Sequence, residues 1–466
     1  MPILDKMQQN NEPDDSGEGE GESNGSSWDN VPTERKKRFH ERPKFVPSRQ
    51  GHRQISIAAL VERIADQFRE ENTPDDTAVR AAKTRADRAK LLRPVIDYVL
   101  TVESVTPDES AKAEIARQAY SEIFGFGPLD QYIEDPDVTT ISIDGRDDLS
   151  VRYQHGELEP VKPIFDDQDH LQETTQRLLK AADATLREDI PIVEAGFTAE
   201  SGRLVSLSVA GPPVSFSLNL DIRLHPAQPP TLDSLIERGT LTQRTADLLT
   251  AIVRSQHGFA VVGQPESGKT MTLSALLTQL PDPASAVAVE RTGELHLPED
   301  MHRATVQWAP GVGLEGVTFG EQIERQIEEN NYQTIVLDEV RADEPKSIGP
   351  LLTAENPPRL IWSFRGPPDS KRLYSALGML ARRATNSQDE GLVSELFRRL
   401  PFVISVRRLR GRIELREVGE WIYPDGAVSA QYHALTTTED GEITLTGEKP
   451  VRPLALDNGF WGAGAS

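Results

Sequence analysis

The chain has no cysteine among its 466 residues. That absence excludes disulfides, thiolate catalysis and zinc sites built on thiolates. No apolar run approaches the ~20 residues needed to cross a bilayer, and the nine histidines form no cluster with metal-ligand spacing. Positive charge is also in short supply. Lys and Arg number 51 against 74 Asp and Glu, a formal charge of −23, and so acidic a surface argues against nucleic acid as the main partner. Residues 1–30 are polar and acidic and lack the apolar core of a secretory signal. A cytoplasmic location is therefore expected, which leaves work at a membrane surface open.

What is present reads as a soluble chain of two or three domains. Residues 1–54 read as a disordered tail. A Gly/Glu/Ser tract over 14–27 has nothing to bury. A basic stretch with Arg35, Lys36, Lys37, Arg38, Phe39 and Phe45 follows, and it suits either a solvated tail or contact with anionic lipid or an acidic protein. Residues 55–123 read as a small helical bundle. Ile57, Leu60, Val61, Ile64 and Phe68 recur at i, i+3, i+4 spacing, a second helix is expected over about 78–102, and a third over about 110–123. From 124 to 230 the period shortens to that of strands, at 139–143, 149–153 and 204–220, with an amphipathic helix at 171–182. This predicts a compact α/β domain, closed by the punctuation of Gln228-Pro229-Pro230. Residues 231–456 form the remaining domain, with 457–466 as a tail.

The chain is organised around Gly263-Gln264-Pro265-Glu266-Ser267-Gly268-Lys269-Thr270, which reads G-x-x-x-x-G-K-T, a phosphate-binding loop. Glycines let several backbone N–H groups converge on one anion, and the following helix adds the positive end of its dipole. Lys269 can reach the β- and γ-phosphates of a nucleotide, and the Thr270 hydroxyl can ligate Mg²⁺. The apolar run 259–262 before the loop and the helical pattern over 271–280 after it supply the required strand–loop–helix context. ATP and Mg²⁺ are the expected ligands, with no metal beyond Mg²⁺.

A second buried strand, 334–337, ends in Asp338-Glu339. Carboxylates at such a strand tip hold Mg²⁺ and activate water. Asp338 is accordingly expected to steady the metal and Glu339 to polarise the attacking water; the alternative is a strand-end pair satisfied by Arg341. A third strand, 286–289, ends at Glu290, with Glu294 beyond it. Glu290 reads equally as a second catalytic acid or as an exposed hairpin acid.

These segments, with Ile335-Val336-Leu337-Asp338-Glu339-Val340-Arg341, resemble the ATPases of type II and type IV secretion and of type IV pili, most of all the CpaF-like branch of Tad/Flp pilus assembly. Gly125-Phe126-Gly127-Pro128-Leu129 and Asp135-Pro136-Asp137-Val138-Thr139 resemble the opening of that family's N-terminal domain, and residues 402–410 and 412–418 its closing strands. The resemblance implies a RecA-like ATPase domain behind a smaller α/β domain. It further implies a hexameric ring at the cytoplasmic face of the inner membrane, with ATP held between the two domains and closure pushing on a membrane platform protein. It assigns a catalytic part to Arg203. The sequence departs from the family where the acidic box reads Glu290-Arg291, where Trp362-Ser363-Phe364-Arg365-Gly366 lacks a histidine, and where paired arginines are replaced by Asn219-Leu220. Losing an arginine that compensates transition-state charge leaves binding intact and slows the chemistry. Three readings follow: a secretion or pilus motor, a nucleotide-binding relative of low activity that regulates or scaffolds, and a nucleic-acid translocase, against which the charge weighs.

Overall fold

The computed structural model describes residues 45–47, 54–73, 76–154, 156–305, 319–329, 332–341, 344–384, 390–409, 412–424, 429–439 and 441–461. The acidic tract and the Arg35–Arg38 cluster lie outside them. The chain divides into two compact units, the first ending at Ala119 and the second beginning at Tyr120.

The first unit opens with a two-stranded antiparallel ribbon, β1 (Phe45–Pro47) and β2 (Gln54–Ser56). Helix α1 (Ile57–Glu71) is capped by the Ser56 hydroxyl, which accepts from the Ala59 N–H, and it buries Ile57, Leu60, Val61, Ile64 and Phe68, the stripe its spacing predicts. The helix expected over 78–102 is two helices, α2 (Thr77–Ala81) and α3 (Arg85–Val102). The break has a local cause. The Thr84 side chain accepts from the Asp87 N–H and starts a fresh helix, with Asp87 favourably placed in its first turn. The unit boundary falls within α4 (Glu109–Phe124).

The second unit begins with a small domain. A turn at Gly127–Leu129 leads into α5 (Asp130–Ile133). A six-stranded sheet follows, with β3 (Val138–Asp144), β4 (Asp148–Tyr153), β5 (Leu158–Val161), helix α6 (Gln168–Ala181), then β6 (Ile192–Thr198), β7 (Leu204–Ala210) and β8 (Asn219–Leu224). Its order is β5-β4-β3-β8-β7-β6 and every pairing is antiparallel. Alternation sorts its faces. Val151, Ile141, Ile222, Leu207 and Ala195 point to a core shared with Leu171 and Leu178 of α6. The opposite face carries Arg152, Thr140, Arg223, Ser206 and Gly196 in one cross-strand row, with Ser150, Ser142, Asp221, Ser208 and Glu194 in the next.

Asp130 lies under the opening turn, where its carboxylate accepts from the Phe126 N–H at 3.1 Å. Burial raises its pKa to about 6, against that hydrogen bond. The folded state therefore holds the proton more tightly than the unfolded chain between about pH 4 and 6. The stability this contributes is present below pH 4 and lost as pH rises through 6. Asp130→Asn keeps the acceptor and removes the charge. It is expected to be more stable than the parent by about 1–3 kcal/mol at pH 8, with the advantage vanishing below pH 4 in paired thermal melts.

Helix α7 (Leu232–Glu237) opens with a reciprocal Thr231/Ser234 capping box, and α8 (Gln243–Arg254) brings the chain to the larger domain. Here β9 (Phe259–Gly263), α9 (Lys269–Leu277), β10 (Ala286–Glu290), β11 (His302–Thr305), α10 (Phe319–Glu329), β12 (Thr334–Val340), α11 (Gly349–Thr353), β13 (Arg359–Arg365), α12 (Ser370–Ala384), α13 (Glu390–Arg399), β14 (Phe402–Leu409), β15 (Arg412–Ile422) and β16 (Gln431–Ala434) build one sheet with helices between strands. The order is β11-β10-β12-β13-β9-β14-β15-β16, parallel from β11 to β14 and antiparallel beyond. A short hairpin, β17 (Thr436–Glu439) and β18 (Glu442–Leu445), follows. The inner parallel strands β9, β10, β12 and β13 are apolar on both faces, as burial between two helical layers demands. Ala260 and Val262 face α10, α11, α12 and α13, whereas Phe259 and Val261 face α7, α8 and α9. Trp461 is buried in this second layer, beyond the expected boundary at 456. This is an α/β protein with a RecA-like larger domain, preceded by a separate sheet and a helical N-terminal region.

Candidate functional site

The register of the parallel sheet assembles the site. Gly263 pairs with Arg365, Leu337 with Trp362, and Val289 with Leu337. The phosphate-loop motif, Glu290, Asp338 and Arg365 therefore all emerge at the carboxyl edge, from β9, β10, β12 and β13. Such an edge is where open α/β sheets bind ligands.

The loop leaves β9 at Gly263, turns with the Ser267 N–H donating to the Gln264 carbonyl at 3.2 Å, and enters α9 through Gly268 at φ +91°. A Cβ at Gly263 would stand 2.6 Å from the Val406 carbonyl oxygen, and one at Gly268 would stand 2.5 Å from Ile413. The two glycines are thus required by the β14–β15 hairpin packed against the loop, as well as by any anion in it. Lys269 is buried and its Nζ donates to the Gln264 carbonyl at 3.0 Å, spanning the curl of the backbone. Burial pushes the ammonium pKa down, while Glu339 and Asp338 pull it up. The Ser267 hydroxyl is buried with no hydrogen-bond partner among the described residues. Thr270 sits in the first turn of α9.

Asp338 is buried, and its Oδ1 likewise has no hydrogen-bond partner among the described residues. Burial raises its pKa well above the carboxylate range, with Glu294, Glu290 and Glu339 adding repulsion. An orphaned carboxylate oxygen among like charges, on a strand tip beside the loop, fits a bound cation. Thr270 and Asp338 would hold Mg²⁺, and the ion would supply charge neutralisation at the phosphates. No group of three or more His, Asp or Glu able to hold a metal occurs among the described residues.

Glu339 occupies a bulge in β12 with φ +51°. Burial raises its pKa, but Arg341, at 3.0 Å from Glu339 Oε2, together with Lys269 more than offsets this and holds the carboxyl below its usual range. Glu290, read as a second catalytic acid or an exposed hairpin acid, is not exposed. It is fully buried, accepts from the Leu295 N–H at 2.8 Å and faces Arg303 at 3.2 Å. Burial pushes its pKa to about 7. Glu290 therefore shapes the turn that follows β10, and Glu294 is the member of that segment presented to the site. Glu294 accepts from the Thr292 hydroxyl and lies 3.8 Å from His225.

Arg203, to which the resemblance assigns a catalytic part, sits in a backbone setting. It is buried, and its guanidinium donates to the backbone carbonyls of His225, Ile133, Asp135 and Val138. It staples the entry to β3 onto the end of β8. Arg203→Ala strands these carbonyls and is expected to cost about 3 kcal/mol or more of stability. Nucleotide binding and turnover should then fall together, in step with the folded fraction measured by circular dichroism.

The cations facing the loop are others. Arg152 and Arg223 flank Thr140 in one row of the small sheet. Arg152 pairs with the Glu266 carboxylate, and Arg408 donates to the Glu266 carbonyl at 2.7 Å. Burial works against the Glu266 carboxylate, but Arg152, with Arg223 and Arg408 behind it, holds its pKa low. Arg223 also bears on Glu339. Arg365 stands where a histidine was expected and adds positive charge near Lys269. The sequence reading passed over Arg152 and gave Glu294 no role. The strand alternation that puts Arg152 opposite Val151 was the available signal for the first.

A phosphate loop on a parallel sheet, with acidic strand tips beside it, defines a P-loop nucleotide-binding protein. The family model described as "Type II/IV secretion system protein" matches residues 125–349. No curated protein sequence matches the chain. Among solved structures it is similar to the VirB11 ATPase from the Brucella suis type IV secretion system in complex with sulphate, at 18% identity over 66% of this chain and 96% of that one, with a TM-score of 0.31. It is similar also to the pilus retraction motor PilT with bound ADP (15% identity, 67% and 82%, TM-score 0.43). A third is the Legionella pneumophila ATPase DotB (13%, 64% and 81%, TM-score 0.43).

Proposed function

We propose that this chain is an ATP-hydrolysing motor of a secretion or Tad/Flp-type pilus assembly machine. It works as a homo-oligomeric ring, a hexamer, on the cytoplasmic face of the inner membrane, where it drives a platform protein. The proposed engagement with the membrane is peripheral; no helix among the described residues is long and apolar enough to cross one. The observation that carries this reading is the convergence of Lys269, Asp338, Glu339 and Glu294 at one sheet edge, faced by Arg152 and Arg223 from the small domain. Lys269 would bind the terminal phosphates. Glu339 would take the proton from water, and the two arginines would offset the charge that develops. ATP bound between the domains would draw them together, and release would let them part.

One observation favours a weakly active regulatory or scaffold subunit instead. Arg291 replaces the second acid of the family's box, pairs with Glu344 and lies over Phe319 at 4.3 Å, so that position brings no carboxylate to the site. Steady-state phosphate release by the purified protein, alone and in its assembled ring, separates the two. Turnover that rises on assembly supports the motor, whereas nucleotide binding without release in either state supports the subunit of low activity.

A further inference from the structure

The carboxylate at the tip of β12 has a partner in the other domain. Arg341, one residue past the strand, donates through Nη1 and Nη2 to both oxygens of Glu194 at 3.2 and 3.1 Å, and through Nη2 to Glu339 at 3.0 Å. All three side chains are mostly buried, at 18%, 17% and 30% exposed for Arg341, Glu194 and Glu339. Glu194 projects from β6 on the polar face of the small sheet. Two residues along, Gly196 approaches the larger domain so closely that a Cβ would stand 1.7 Å from the Thr292 carbonyl oxygen. The pair therefore sits at a seam where the domains meet backbone to backbone.

We propose that Glu194 is a positioning residue, which through Arg341 fixes the direction of the Glu339 carboxylate, so that seating of the small domain and readiness of the carboxylate are one event. The inference rests on the motor reading above and adds to it the contact by which one domain informs the other. Two features support it. The fork of a guanidinium reaches two carboxylates at once only when both are in place. Glu339 holds a left-handed backbone conformation that a non-glycine residue keeps only when its surroundings over-determine it. With Glu194 withdrawn, Arg341 loses two of its three hydrogen bonds to carboxylates, and the bulged strand tip is tied to the small domain no longer.

The test uses the full chain as Glu194→Gln, Arg341→Gln and the double variant. Each is measured for steady-state phosphate release, melting temperature and backbone hydrogen exchange over residues 339–341. Glu194→Gln is expected to lower kcat ten- to a hundredfold with KM within twofold, a scale set by small misplacements of catalytic groups. Exchange at 339–341 should quicken at least tenfold while the melting temperature stays near the parent's. Added to Arg341→Gln, it should change nothing further, because it acts only through that residue. Parental kcat and exchange in Glu194→Gln overturn the proposal, as does an additive loss in the double variant. Loss of kcat, KM and melting temperature together overturns it in favour of a purely structural bridge. If neither parent nor variants release phosphate, the motor reading fails, and the exchange measurement alone still decides the relay.

Discussion

Lys269→Ala is expected to weaken binding of labelled ATP by about a hundredfold or more, since truncating one partner of a buried, hydrogen-bonded charge pair costs about 2–5 kcal/mol. The protein without nucleotide should not be destabilised to match. Burial already works against the Lys269 ammonium, and its one hydrogen bond among the described residues is to the Gln264 carbonyl at 3.0 Å. The variant should melt within a few degrees of the parent while losing its ligand. Unchanged affinity in a titration would remove the phosphate loop from the proposed mechanism.

Glu339→Gln carries the second large effect. The amide keeps the size of the carboxylate and cannot take a proton from water, so nucleotide should bind with Mg²⁺ at near-parental affinity. Phosphate release should drop by about 10²–10⁴-fold, the usual contribution of a general base. Binding by calorimetry and release by a coupled assay read the two separately. Release at the parental rate would pass the role to Glu294, which faces the same edge. Glu290 is the less accessible of the two, being fully buried and bonded to the Leu295 N–H.

The legible parts of the sequence were those whose cause is local. Strand, glycine loop and helix around 263–270 follow one another in the chain, and the structure keeps them in that order. Apolar runs ending in acids at 286–290 and 334–340 were legible for the same reason. Choosing among the acids was not. Whether Glu290 or Glu294 meets the site depends on a turn closed by Arg303, thirteen residues beyond Glu290 in the chain. Arg203 illustrates the same limit, because nothing in its neighbours along the chain says that four carbonyls, three of them on a segment some 65–70 residues earlier, will surround it. The pairing of Glu194 with Arg341 spans 147 positions and two domains, and only tertiary register brings it about.

The polar side of the small sheet has a mechanical meaning. Its serines, threonine, acids and arginines share the face from which Arg152 and Glu194 meet the larger domain, while its valines, leucines and isoleucines are kept for α6. Pulling such a face away from its neighbour wets groups that water welcomes and uncovers no greasy patch. The seam can therefore open and re-close many times without inviting aggregation, and its tightness is set by a few ions that salt can loosen.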